Sequence, residues 1–305
     1  MPTEKPLVSI VMLSHRRLEM LPEVLDGLTA QRYRPRELIV VDNRSDQSAQ
    51  IEAVVRRYPE VRFIGIDRNL GFAGGINVGI DAAKGRYVYL TEDDLIPPPD
   101  TVDVLVDYVQ RHPETGIAGG LIISKQTGEV RYAGGAFTLG PIFLMTLPHL
   151  GEPLQQQVTE PTVVGYMPAG SALVDRELLS RIGAFRAEFF MYNEDVELCA
   201  RLTRHHKQIV LVPQVCVQHI DPPARPSGAS SISPFEFHKM KNFYALYLLH
   251  APARVLPEFL LRYGVIALLK DVRKSPERAR LRLRALGWVG RNLPGLLRDR
   301  RGIGG

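Results

Sequence analysis

Adjacent carboxylates follow an aromatic run in Phe189-Phe190-Met191-Tyr192-Asn193-Glu194-Asp195, and the chain then continues as the helical pattern Val196-Glu197-Leu198-Cys199-Ala200-Arg201-Leu202. A carboxylate beside an apolar wall is suited to accepting a proton, because desolvation disfavours its charged form. Such a base has a purpose only if an activated substrate is held close to it. Tyr87-Val88-Tyr89-Leu90-Thr91-Glu92-Asp93-Asp94, an apolar strand ending in three acids, offers a place for one. Hard oxygen ligands there suit Mg²⁺ or Mn²⁺ bridging a diphosphate, and a bound cation offsets the repulsion among the acids. Together the two segments suggest group transfer.

Each segment also has a structural reading. Acids in a first helical turn meet the macrodipole favourably, and Asn193 would cap that helix. That leaves the aromatic run unexplained; it would form a wall that desolvates the base or packs on a sugar ring, with Tyr192 and Glu194 on the acceptor side. The acids at 92–94 also read as a solvated turn before Pro97-Pro98-Pro99, Asp94 being the most structural of them. His219, after the apolar Val210, Leu211, Val212, Val215 and Val217, reads alone as a core histidine.

Two further stretches lie where a nucleotide would be expected. Asp42 ends Leu38-Ile39-Val40-Val41 and is placed to accept from a base or ribose, or to form a turn with Asn43. Arg68-Asn69-Leu70-Gly71-Phe72-Ala73-Gly74-Gly75-Ile76-Asn77-Val78-Gly79 follows a strand and opens a helix. Its spacing matches neither the dinucleotide fingerprint nor a phosphate-binding loop with its lysine, which disfavours a dehydrogenase or an ordinary P-loop ATPase. The glycines read as a tight turn with close helix packing, while Arg68 is free to face a diphosphate.

The elements that must position these residues are visible in the hydropathy pattern. Apolar strand-like runs at 7–13, 37–42, 61–66 and 86–90 alternate with helical stretches near 18–31, 48–57 and 75–83, which predicts α/β architecture with a parallel sheet. Ligands bind outside the carboxyl ends of such strands, where Ser14, Asp42, Arg68 and Asp93 fall. Beyond residue 95 a helix is expected from the prolines to about 111, with strands at 116–124, 130–137 and 210–219. Residues 138–162, with their glycines, prolines and three glutamines, read as a mobile loop over a site, and 221–233 as a linker before helical residues 234–250. The division expected is a domain at 1–233, in halves at 1–96 and 97–233, and a helical, basic extension at 234–305.

With 305 residues and 45% hydrophobic content the chain can bury a substantial core. Cys199 and Cys216 lack metal-ligand spacing and read as reduced core residues of a cytosolic protein. The first apolar run is too short to span a membrane and has no cleavage pattern. Of the net +5, residues 252–305 carry +9 from 13 Lys/Arg against 4 Asp/Glu, leaving −4 for the rest. Leu260, Leu261, Val265, Ile266, Leu268 and Leu269 with the following arginines suit either a helix on an anionic membrane surface or one packed on the domain. No nucleic-acid module surrounds the tail's aromatic residues, so nucleic acid is not expected as a partner.

Taken together, Val8-Ser9-Ile10-Val11, Ile39-Val40-Val41-Asp42-Asn43, Asn69 through Gly79, Ala169-Gly170-Ser171-Ala172-Leu173 and Phe189 through Arg201 resemble the inverting nucleotide-sugar glycosyltransferases of family 2, with the GT-A fold. The likeness spans roughly residues 7–250 and is nearest in look to bacterial rhamnosyl- and galactofuranosyltransferases of cell-surface polysaccharide synthesis. It implies Asp195 as catalytic base, with Ser14, Asp42, Arg68, Asn69 and Asp93 near the donor. Asp93 and His219 become metal ligands for Mg²⁺ or Mn²⁺, which replaces the core reading of His219. The partners implied are a dTDP- or UDP-sugar and a glycan or lipid-linked acceptor. The protein would be cytoplasmic, or peripheral on the inner face of the cell membrane if the tail binds there. Thr91 stands where many members carry the first acid of the DxD-like motif, and Ser14-His15-Arg16-Arg17 where they carry Thr-Tyr-Asn-Arg. A non-catalytic sugar-nucleotide binding module and a sugar nucleotidyltransferase are the competing classes.

Overall fold

The computed structural model describes residues 4–154, 158–221 and 232–302. Its first part runs β1 (Val8–Ser14), α1 (Leu21–Thr29), β2 (Arg36–Asp42), α2 (Ser48–Val55), β3 (Val61–Gly65), α3 (Gly71–Ala82) and β4 (Tyr87–Glu92). All 7 residues of β1 are buried, as an apolar strand covered on both faces must be. β2 and β4 flank β1 in parallel, pairing Ser14 with Asp42 and Leu13 with Glu92. The carboxyl ends of the three strands therefore finish side by side. α3 lies close on this sheet because its glycines allow it: a Cβ at Gly79 would stand 2.2 Å from the Val11 side chain.

The second part comprises β5 (Leu95–Ile96), α4 (Thr101–Arg111), β6 (Thr115–Ser124), β7 (Val130–Tyr132), β8 (Ala136–Leu139), β9 (Phe143–Thr146), β10 (Thr162–Val164) and β11 (Ser171–Asp175). α5 (Arg176–Ile182), α6 (Glu194–Arg204) and β12 (Gln208–His219) follow. The main sheet has the order β10-β12-β6-β11-β4-β1-β2-β3, with β5 on β12 and β7 on β6. β11 enters antiparallel between β4 and β6, so the sheet is parallel through β3-β2-β1-β4 and mixed beyond.

Three expectations are adjusted. The helix foreseen from Pro97 begins at Thr101, since a residue before proline is pushed out of the α region. The strand foreseen over 130–137 breaks after Tyr132, where Gly134 takes φ +93°. The stretch 138–162 is not simply a loop. It contains the end of β8 and all of β9, and this hairpin is tied down by Tyr247 Oη donating to the Gly140 carbonyl at 2.9 Å. The three glutamines, 155–157, and most of the 221–233 linker lie outside the described residues.

The C-terminal part is α7 (Glu236–His250), α8 (Leu256–Phe259), a π-helical turn (Leu260–Ile266), α9 (Ala267–Lys274) and α10 (Pro276–Gly302). A second apolar core forms here from Tyr244, Tyr247, Leu249, Phe259, Ala285, Val289 and Leu296. Phe189, from the stretch just before α6, is fully buried within it. α10 is thus packed on α7, whereas Leu261, Val265, Ile266 and Leu269 remain more than half exposed. Among the described residues no helix is long and apolar enough to cross a membrane.

Candidate active site

The acid turn after β4 divides its carboxylates between two neighbours. Asp93 turns toward β1: its Oδ2 accepts from Ser14 Oγ at 2.9 Å and from the His15 amide at 2.7 Å. Burial raises its pKa, against the pull of Arg17, that amide and Ser14. Asp94 turns toward β12, where the His219–Leu95 pairing brings His219 Nε2 to 3.2 Å from Asp94 Oδ2. His219 Nδ1 faces Asp221 Oδ1 at 3.1 Å. Asp221 is in turn gripped by Arg131, through Nε at 3.0 Å and Nη2 at 2.9 Å, and this holds its carboxyl well below the ordinary range. Arg17 contacts Asp94 and lies 3.6 Å from Asp93, so a resident guanidinium supplies the cation this cluster requires. Glu92, buried and next to Asp93, is pushed up to about 7.

The donor set suits a hard divalent ion: a buried carboxylate oxygen beside an imidazole nitrogen whose other nitrogen is held by a carboxylate. Among the described residues no group of three His, Cys, Asp or Glu side chains is placed to hold a metal ion, so Asp94 and His219 would need phosphate oxygens and water beside them.

The acids at 194–195 stand at the start of α6 behind an irregular turn. Asn193 has φ +63° and makes no side-chain cap, so the expected capping role is absent. Asp195 Oδ2 accepts from Tyr166 Oη at 2.6 Å, and its Oδ1 from the Val196 amide at 2.7 Å. Burial raises the Asp195 pKa and these two bonds oppose the rise. Glu194, only 7% exposed, is raised well above the usual range by burial and by Asp195, and its Oε2 is buried without a hydrogen-bond partner. A cavity of about 260 Å³ is lined by Glu92, Asp94, Arg131, Tyr132, Tyr166 and His219 among others, and it meets Asp195 only through Tyr166. Tyr192 is half-exposed under Lys239, whose Nζ lies 4.4 Å from the ring centroid.

Asp42 is fully buried at the end of β2 and accepts from the Ser45 amide at 3.3 Å, which is its turn role. Asn43 spans to the glycine-rich run: its Nδ2 donates to the Gly71 carbonyl at 2.9 Å and its Oδ1 accepts from the Leu70 amide at 2.9 Å. Arg68 and Asn69 are exposed, and Asn69 Oδ1 accepts from the Gly71 amide at 2.8 Å. Sequence reasoning missed Tyr166, Arg131 and Asp221. A His-x-Asp spacing at 219–221 was a usable signal for the last; Tyr166 and Arg131 carried none.

The description "Glycosyl transferase family 2" matches residues 9–183. An N-acetylglucosaminyl-diphospho-decaprenol L-rhamnosyltransferase of Mycobacterium tuberculosis is 28% identical over 236 residues, covering 70% of this chain and 75% of that protein. Galactofuranosyltransferase GlfT1 of Mycolicibacterium smegmatis is 36% identical over 104 residues, 33% of this chain and 34% of that one. Among solved structures, GalNAc-T7 with UDP, GalNAc and Mn²⁺ superposes with a TM-score of 0.66 at 16% identity, over 88% of this chain and 54% of its own. Mannosyltransferase PcManGT of Pyrobaculum calidifontis, in complex with GDP-Man and Mn²⁺, gives 0.54 at 17% identity, over 99% and 86%. These folds carry a GT-A sheet, and the family match takes in more than half of the chain together with the strand ends that gather the acids. The chain belongs to glycosyl transferase family 2, and it is a glycosyltransferase.

Proposed function

We propose that the protein transfers a sugar from a nucleotide-diphosphate sugar, dTDP- or UDP-linked, to a hydroxyl of a glycan or lipid-linked acceptor, with inversion at the anomeric carbon. The observation that carries this reading is a single cavity facing both the Asp94–His219 pair and Tyr166, the hydrogen-bond partner of Asp195. Asp195 takes the proton of the acceptor hydroxyl as its oxygen bonds to the anomeric carbon, and the bond from that carbon to the diphosphate oxygen breaks. The nucleoside diphosphate leaves with the electron pair. Asp94 and His219, rather than Asp93, are the residues to hold a divalent cation, which when bound would neutralise charge on the departing diphosphate. Asp93, through Ser14 and His15, fixes the end of β1 where the nucleotide would lie. The rhamnosyltransferase relative, named for a diphospho-decaprenol acceptor, supports the lipid-linked choice.

A peripheral place on the inner membrane face is part of this proposal. The exposed Leu261, Val265, Ile266 and Leu269 lie among exposed Arg262, Lys270, Arg273 and Lys274, the composition an interfacial helix needs. The test of the chemistry is nucleotide release from UDP-, dTDP- and GDP-sugars by the wild type and Asp195→Asn. Loss of about 10²–10⁴-fold in turnover with nucleotide binding retained is expected. Wild-type turnover in the variant would remove Asp195 from the mechanism.

A further inference from the structure

The turn that delivers Asp195 is held in an unfavourable backbone conformation. Phe190 has φ +63° and ψ −63°, and the Met191 amide donates to the Phe189 carbonyl at 2.7 Å. That is a γ-turn of the rare, strained hand. Tyr192 and Asn193 follow with φ +70° and +63°. Three non-glycine residues of positive φ within four positions are strained, and persist only where the surroundings over-determine them.

The surroundings come from two sides. From the sheet side, the Ala73 amide donates to the Phe190 carbonyl at 3.2 Å, and Gly71, at φ +69°, leaves room where a Cβ would stand 2.1 Å from that oxygen. From the other side comes α7, beyond the segment the family description matches. Asn242, fully buried, directs Nδ2 at the carbonyls of Phe189 (2.7 Å), Met191 (2.9 Å) and Tyr192 (2.7 Å), and its Oδ1 accepts from Lys241 Nζ at 2.6 Å. The reverse amide orientation would set an oxygen against three carbonyls. Lys241 Nζ also donates to the Glu188 carbonyl, and His238 stacks on Phe190 with ring centroids 4.4 Å apart.

We infer that α7 belongs to the catalytic centre, with Asn242 as a positioning residue that locks the turn and so sets the height and direction of Asp195. This rests on the reading of Asp195 as base. Asn242 touches no substrate in this scheme; it acts through three peptide carbonyls. A displacement of the base by about 1 Å is enough to cost about 10²-fold in rate.

The experiment compares wild type, Asn242→Ala, Asn242→Asp, Asp195→Asn and the Asn242→Ala/Asp195→Asn pair in the full chain. The donor is whichever of UDP-, dTDP- or GDP-sugar the wild type cleaves, and UDP, dTDP or GDP binding is measured by calorimetry with Mn²⁺. Asn242→Ala is expected to lower kcat by about 10²-fold with donor KM and nucleotide affinity within about twofold. The double variant should be no slower than Asp195→Asn alone, because both changes disable one group. Asn242→Asp keeps the shape while removing the donors, and decides the matter if the alanine variant does not fold. Wild-type kcat in folded Asn242 variants, a parallel loss of nucleotide binding, additive losses in the pair, or failure of both variants to fold would each overturn the positioning role. Full turnover in Asp195→Asn would instead overturn the base assignment, whatever Asn242 does.

Discussion

Tyr166→Phe tests the electrostatics of Asp195 as the proposed base by removing one oxygen atom. Tyr166 Oη stands 2.6 Å from Asp195 Oδ2, a short charge-assisted bond made in a partly buried setting. Hydrogen bonds to charged groups contribute about 1.5–3 kcal/mol, and one pKa unit corresponds to about 1.4 kcal/mol. Loss of the bond should therefore raise the pKa of the base, adding to the rise that burial already imposes. Tyr166 itself is raised well above the ordinary tyrosine value, so it remains a donor through the working range. A base acts in its ionised form, so the acid limb of kcat/KM against pH must move upward in the variant. Below the acid limb the variant should lose up to about a hundredfold, the rate equivalent of that bond, and the two profiles should converge on the alkaline side. The observed limb belongs to Asp195 and Glu194 together, since the two acids titrate against each other. The assay is nucleotide release from the cleaved donor between pH 5 and pH 9 (roughly the span that covers such a limb). An unmoved acid limb, or a loss of the same size at every pH, refutes the reasoning.

Two other perturbations probe separate parts of the molecule. Asp221→Ala removes the carboxylate that orients His219, and should weaken Mn²⁺ binding about 10–100-fold by direct titration in the presence of UDP, with the fold intact by circular dichroism. Unchanged Mn²⁺ affinity would sever His219 from the metal. Leu261→Ser/Leu269→Ser should reduce co-sedimentation with anionic phosphatidylglycerol vesicles while leaving the unfolding midpoint within about 2 °C, because both side chains are exposed. Equal sedimentation of variant and wild type rules out that face as the contact.

Most of the donor-side scaffold was legible because it is local. An apolar run such as Val8–Leu13 admits few structures, and the alternation that follows dictates parallel pairing. The glycine run read correctly as a turn with close packing, since Gly79 meets Val11 across α3 and β1. The start of α4 moved because proline's effect on its predecessor outweighed its fitness for a first helical turn. Which carboxylate of the acid turn faces which partner was not legible. Asp93 and Asp94 are consecutive, and the choice between them is made by β1 on one side and by β12 on the other. The hairpin at 136–146 hid in a glycine- and proline-rich stretch because its order comes from Tyr247, Phe243 and Tyr263, far along the chain. Asn242 was hidden for the same reason: within an apolar helical stretch, one amide gives no sign that three carbonyls await it.

The burial of Phe189 in the C-terminal core has a consequence for the order in which this enzyme comes into being. During synthesis the donor-side strands, and even Asp195, leave the ribosome well before α7 and α10 exist. Until those helices dock, Phe189 has no core to enter and the γ-turn at Phe190 lacks Asn242. A nascent chain would thus gather its strand-end acids early and acquire an aligned base late. On the proposed role of Asp195, a chain without α7 would hold its strand-end acids but lack the contact that aligns its base.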